Sequence, residues 1–293
     1  MIFLGINSSG KLHFGNYLSL IKPVLKYNLK KIFLADFHCL SKKISLLKIL
    51  KNKILIISTF LSFFNSIYFY QSYNLNIIKL FWLILCFYNK NKTKFFNLLE
   101  YKNFFSLGKI CYPLLMSSDI INNNNKFIFV GIDQIQHIEI YKKIIKKINY
   151  FLNYKIIKNC NFIVNNNIVY SYDKKKMSKS NKNDLFIFSN INEIEFFLKK
   201  FKNTKKKKKS ILNFILNIIN NNYIINFFLK NNKILFINKV KELLYFYFLP
   251  FKKKFNYNII NLKYLIKKIN IFNKYNKKII YNNCNIIFNK FNL

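Results

Sequence analysis

Short apolar runs of strand length alternate with longer runs of helical spacing through the first half of the chain. This alternation restricts the fold more than any other feature. Residues 2–6, 31–35, 67–70 and 127–130 each have the length and apolar content of a buried strand. Between them lie stretches with helical periodicity: one from Phe14 with Tyr17, Leu18, Ile21 and Leu25 on its apolar face, then residues 48–64, 77–88 and about 134–148. The pattern predicts an α/β fold built on a Rossmann-like parallel sheet, with ligands at the carboxyl ends of the strands. Polar turn residues stand at those ends: Asn7-Ser8-Ser9-Gly10, Asp36-Phe37-His38, Gln71-Ser72 and Gly131.

Past residue 185 the pattern changes. Helices are predicted over residues 193–201, 211–219 and 233–248, interrupted by the lysine run 205–209 and the asparagines 220–222. The lysine run reads most simply as a solvated loop. The chain is therefore expected to divide into a catalytic unit over 1–185 and a mainly helical unit over 186–293.

Composition decides how the charge is weighed. Lys, Asn, Ile, Phe and Tyr dominate, arginine is absent, and Ala35 is the only alanine. These are residues of AT-rich codons, so codon drift and a polyanion partner both account for the net charge of +40 and pI of about 10.0. Without arginine, any phosphate must be held by lysine point charges and backbone N–H groups. Cys39, Cys86, Cys111, Cys160 and Cys284 show no C-x-x-C spacing. Neither a zinc site nor a disulfide framework is expected, which fits a reducing cytoplasm. A strand-length run begins at Ile2, so no secretory or transit segment is expected ahead of it. Residues 54–70 are broken by Ser58, Thr59, Ser62, Asn65 and Ser66, and residues 77–88 are too short to span a bilayer. Core helices are expected there, with no membrane partner.

Two stretches carry chemistry. The segment from Gly5 to Asn16 turns from strand to helix. Gly10 is suited to a tight turn, and Gly15 would let a nucleotide approach the helix without meeting a Cβ. N–H groups at the helix start suit phosphate, and the His13 imidazole can donate to a phosphate oxygen or ribose. The second is Lys176-Met177-Ser178-Lys179-Ser180, in a polar, lysine-rich setting. Two lysines three apart on a loop can place positive charge on a triphosphate under attack. Codon drift does not readily write methionine and two serines in that order.

His13-Phe14-Gly15-Asn16 and Lys176–Ser180 resemble the HIGH-type head and KMSKS loop of class I aminoacyl-tRNA synthetases, and the Gly-Asn ending is similar to the tryptophanyl branch. Ala35–His38, Tyr112–Ile120 and Val130–Glu139 extend the resemblance in order across about residues 2–183, after which it fades. The resemblance implies activation of L-tryptophan with Mg²⁺–ATP and transfer to tRNA(Trp), by a homodimer in the cytoplasm of an AT-rich bacterium or in an organelle. It implies catalytic roles for Lys176, Lys179 and His13. ATP contacts are implied at Asn7, Ser8, Ser9, Gly15, Asn16, Gly131, Ile132, Asp133, Ile168, Met177, Ser178 and Ser180. Asp119 would accept the indole N–H, with Met116 one helical turn away shaping the pocket, and Tyr112 and Gln134 would hold the ammonium group.

Some positions depart from the family pattern. Ile132 stands where an acid is usual, and Asn7-Ser8-Ser9 replaces Gln-Pro-Ser. His38 and His137 fit either substrate contact or internal hydrogen bonding. A lysine near the phosphates is implied between residues 89 and 105, with Lys102 the candidate. Rival readings are a tyrosyl-tRNA synthetase, another adenylate-forming nucleotidyltransferase of the superfamily, and a non-catalytic RNA-binding module.

Overall fold

The computed structural model describes residues 1–42, 44–88, 106–153, 160–201 and 233–264, with 266, 267 and 270. Five strands form one wholly parallel sheet: β1 (Ile2–Asn7), β2 (Lys30–Ala35), β3 (Ile67–Tyr70), β4 (Phe127–Gly131) and β5 (Asn161–Asn165). Their order is β3-β2-β1-β4-β5. Leu4 lies opposite Ile32 on one side and Phe129 on the other, which fixes the register at the centre.

Successive side chains of a strand face opposite ways, and each face of this sheet has its own core. Ile2, Leu4 and Ile6 of β1 join Ile32, Leu34, Tyr68 and Phe129 on one face. Phe3 joins Phe33, Ala35, Phe69, Ile128 and Val130 on the other. The remaining β1 positions on that second face are Gly5 and Asn7, and both open onto a cleft. The expected strands are reproduced to within a residue, while β5 has no counterpart in the sequence reading.

The helices divide between the two faces. α1 follows β1, running helically over Phe14–Asn16, widening to a π turn over Tyr17–Ile21 and resuming over Lys22–Val24. With α3 (Leu46–Phe63), α8 (Ile191–Lys199) and α9 (Lys233–Ile260), it covers the first face. α4 (Asn76–Phe87), α6 (Tyr112–Asn123) and α7 (Ile135–Phe151) cover the second. Among the described residues two short helices remain, α2 (Phe37–Leu40) and α5 (Leu107–Ile110). The chain leaves β1 toward one face and β4 toward the other, so the connections part and leave a crevice above the two strands. That divergence positions the site.

α9 runs on through Pro250 to Ile260, further than the expected end at 248. The expected helix over 211–219 and the runs at 205–209 and 220–222 lie outside the described residues. Val240, Leu244, Phe248 and Phe255 of α9 share one core with Leu12, Phe14 and Tyr17. Among the described residues no helix is long and apolar enough to cross a membrane, and no group of three His, Cys, Asp or Glu side chains is placed to hold a metal.

Candidate functional site

The crevice widens into a cleft of about 670 Å³ at the carboxyl ends of the strands, within the range of small-molecule sites. One wall carries the glycine-marked turn and the lysine pentapeptide. The other carries α6 and the turn after β4. Among the described residues, all those expected at the site line this cleft except Ser8, which is fully buried with its hydroxyl unpartnered.

On the first wall, the backbone around His13 pairs with the segment after the pentapeptide. The Phe14 N–H donates to the Leu185 carbonyl at 3.0 Å, and the Ile187 N–H to the Leu12 carbonyl at 3.2 Å. His13 caps α1: its Nδ1 accepts the Asn16 N–H at 3.3 Å, while the Asn16 side chain accepts the His13 N–H at 3.1 Å. Two amides of this first turn, those of Phe14 and Asn16, are thus committed within the protein, against the expectation that they face a phosphate. Because Nδ1 accepts, the imidazole proton sits on Nε2. Burial, with Lys179 and Lys176 nearby, pushes the His13 pKa down to about 3, so the ring is a neutral donor.

The glycines here answer to close contacts, not to a left-handed backbone, since no described glycine has positive φ. A Cβ on Gly15 would lie 2.9 Å from the His13 ring, and one on Gly10 would lie 2.9 Å from Lys179 Cδ. Lys179 therefore lies directly over the turn. Burial pushes its pKa down to about 8, with Asp184 opposing and Lys42 adding to the shift. Lys176 pairs with Asp133 across the cleft at 3.4 Å, both side chains half exposed. Met177 is 2% exposed and roots the loop in the core beside Gly15.

On the second wall, α6 begins at Tyr112 with Pro113 in its first turn and stops at Asn124 in the left-handed region. Helical spacing puts Tyr112, Met116 and Asp119 on one face toward the cleft. Asp119 is 4% exposed. Gln71 Nε2 donates to both of its oxygens, at 2.8 and 3.1 Å, and His38 Nε2 donates to Oδ2 at 3.0 Å. Burial raises its pKa, against the donors from His38 and Gln71. The Tyr112 ring lies between His38 and His137, with centroids at 4.1 and 5.4 Å. Burial pushes the Tyr112 hydroxyl up to about 12. His137 Nδ1 meets Gln134 Oε1 at 2.7 Å, so the ring donates and fixes that amide, whose Nε2 faces Asp133. Both histidines are hydrogen-bonded inside the protein while lining the cleft.

Several residues at the site escaped the sequence reading. Gln71 is fully buried behind the cleft, where it closes the carboxylate network from the end of β3, and its own Oε1 accepts the Phe37 N–H at 2.9 Å. Lys42 and Lys109 line the cleft, Lys42 Nζ lying 3.4 Å from Ser9 Oγ. In a chain with 50 basic residues nothing local distinguishes these two. Lys102 lies outside the described residues. Glycine gives the signal that could have been used: of only five, Gly5, Gly15 and Gly131 line the cleft and Gly10 lies under Lys179.

A doubly wound sheet with a strand–helix turn and a lysine loop facing each other at its switch point defines a nucleotide-binding α/β protein. Residues 1–248 match the family described as tRNA synthetases class I (W and Y), and the chain belongs to that family. It is 30% identical over 207 residues to the tryptophan--tRNA ligase of Campylobacter jejuni (strain RM1221), covering 64% of this chain and 63% of that one. It is 30% identical over 222 residues to the tryptophan--tRNA ligase of Wigglesworthia glossinidia brevipalpis, covering 70% and 66%. These matches span just under two thirds of the relatives' own length. The fold is similar to that of Campylobacter jejuni tryptophanyl-tRNA synthetase complexed with ADP and tryptophan, with a TM-score of 0.88 at 24% identity over 100% of this chain and 99% of the other.

Proposed function

We propose that the chain is a tryptophan--tRNA ligase. The observation that carries this reading is the joining of two half-sites in one cleft: a cationic nucleotide wall and an acid-lined pocket on α6. The names of the relatives agree with it. Tryptophan's carboxylate attacks the α-phosphorus of Mg²⁺–ATP in line, pyrophosphate leaves, and tryptophanyl-adenylate forms. The 3′-terminal ribose hydroxyl of tRNA(Trp) then takes the aminoacyl group. Catalysis comes from positioning and from stabilising charge on the phosphates. His13 donates from Nε2, and Lys176 and Lys179 face the triphosphate. The turn residues Asn7, Ser9, Gly15 and Asn16, with Gly131, Ile132, Asp133 and Ile168, hold the nucleoside and phosphates. Asp119 accepts the indole N–H, Met116 sets the pocket's depth, and Tyr112 and Gln134 hold the ammonium group.

Residues 186–293 serve the anticodon side of the tRNA, the enzyme works as a homodimer, and its place is the cytoplasm. The binding pocket favours tryptophan over phenylalanine because phenylalanine would shut Asp119 off from water without supplying the indole N–H in its place. ATP–pyrophosphate exchange, measured with each amino acid in turn, tests the reading. Exchange with tryptophan and not with tyrosine is expected. Exchange with tyrosine instead overturns the specificity, and none with any amino acid favours a non-catalytic RNA-binding role.

A further inference from the structure

The lysine pentapeptide is held at two points by one buried amide that stands outside the cleft. Asn183 is 1% exposed. Its Oδ1 accepts the Ser178 N–H at 2.8 Å, and its Nδ2 donates to the Lys176 carbonyl at 3.3 Å. The same Nδ2 reaches both oxygens of Asp173 at 2.9 Å, and the Asn183 carbonyl accepts the Ser171 hydroxyl. A carboxylate only accepts, so Asp173 forces the NH₂ of Asn183 toward itself and leaves the oxygen for Ser178. Asp173 is fixed in turn: Oδ1 accepts the Lys175 N–H at 3.0 Å, at the tip of a hairpin closed by Ser171 N–H to Lys175 O and Met177 N–H to Val169 O.

The surroundings show why such a hold is needed. Lys174 and Lys182 have φ of 62° and 51°, a conformation that costs a residue with a Cβ about 1–2 kcal/mol and persists only where the surroundings enforce it. The loop also concentrates Lys174, Lys175, Lys176, Lys179 and Lys182 against Asp173 and Asp184, and like charges drive it open. Although burial works against it, the Asn183 amide and the Lys175 N–H hold the Asp173 carboxyl below the usual carboxylate range.

We propose that Asp173 and Asn183 form a clasp that sets the backbone of residues 176–179 so that both lysines face the cleft, making the two positioning residues for phosphate chemistry. The clasp rests on the activation reaction proposed above. Neither residue touches the cleft, so the amino-acid pocket on α6 is left unaltered by their loss.

Asn183→Ala is expected to lower kcat of tryptophan-dependent ATP–pyrophosphate exchange by roughly 10- to 100-fold, the effect of losing charge-assisted hydrogen bonds, with the KM for tryptophan within about twofold of the parent. Asn183→Asp alone sets two carboxylates face to face and is expected to be as impaired. Combining Asn183→Asp with Asp173→Asn restores a donor opposite an acceptor and the acceptor for the Ser178 N–H but not the donation to the Lys176 carbonyl, so partial recovery, at least about threefold over Asn183→Asp, is expected. A residue needed only for folding would lower the folded fraction, leaving kcat per titrated active site and KM at the parent's values; that outcome would overturn the proposal. Amide exchange at Ser178 gives a readout independent of catalysis: its protection is expected to fall in Asn183→Ala while that of β1 stays. Unchanged protection at Ser178 overturns the clasp. A parent enzyme without exchange activity overturns only the activation reading, and the Ser178 amide still decides the clasp.

Discussion

At His13 the proton is placed by neighbours on three sides. The Asn16 N–H occupies Nδ1 and leaves the single proton on Nε2, while burial first and then the charges of Lys179 and Lys176 keep the ring from gaining a second proton. The consequence for stability has a definite sign. With a folded pKa of about 3 against an ordinary 6.5, the unfolded chain binds more protons across that interval, so this contribution is complete above pH 6.5 and lost as pH falls toward 3. Urea unfolding at pH 7, 6 and 5 is expected to show a loss on the order of 1 kcal/mol per unit in the parent, and a shallower loss in His13→Gln. Identical slopes in the two proteins would refute the neutral imidazole. His13 was legible because a glycine-marked strand–helix turn is a local signal. Gln71 was not, since it acquires its role only by meeting Asp119, 48 residues away. Asn183 was hidden the same way, as one of many asparagines beside a conspicuous motif. Ser8 failed for the opposite reason: the motif pointed at it, and packing turned its hydroxyl inward.

At the scale of elements, the strands that sequence located each carry a run of four or five residues that are almost all apolar, long enough to stand out from their polar flanks even in β3 at one edge of the sheet. β5, at the sheet edge, has only Phe162, Ile163 and Val164 between two asparagines, and asparagine reads as a turn. α9 was expected to end at 248; it runs on through Pro250, which removes a helical hydrogen bond, because its side chains pack on both sides of that residue and packing prevails. Where a helix stops matters most for α6, which carries Tyr112, Met116 and Asp119. Its last turn closes on Asn124 at φ 44°, whose N–H reaches the carbonyls of Ile120 and Ile121. Asparagine tolerates this left-handed position, glycine suits it better, and a β-branched residue does not. Asn124→Gly is expected to leave stability unchanged or slightly raised, and Asn124→Val to lower it by about 1–2 kcal/mol. Chemical denaturation midpoints check both, and equal midpoints for the two variants would show that the cap does not set the end of α6.

Across the whole molecule, the cleft wall that carries His13 and the last described helix are one packed body. Phe248 of α9 meets Phe14, next to His13, edge-on at 5.2 Å and Tyr17, one helical turn further, at 4.9 Å. Phe63 of α3 stacks on Phe251 at 4.5 Å, and Phe188 lies against Phe255 at 4.8 Å. Sequence divided the chain at 185 because periodicity changes there, but periodicity reports local structure and says little about which surfaces share a core. The shared core predicts how the protein unfolds. Removing the Phe248 ring, 3% exposed, should cost about 3–5 kcal/mol, a large part of the 5–15 kcal/mol that holds a folded protein together. Phe246, 60% exposed on the same helix, should cost less than about 0.5 kcal/mol when truncated. Calorimetry on the parent, Phe248→Ala and Phe246→Ala distinguishes a shared core from two independent ones. With a shared core, Phe248→Ala shifts the whole transition downward, and the sheet melts with α9 because α1 has lost its cover. If the two parts stand alone, an early transition separates in Phe248→Ala while the main one stays at the parent temperature, and α9 then has no hold on the cleft wall that carries His13.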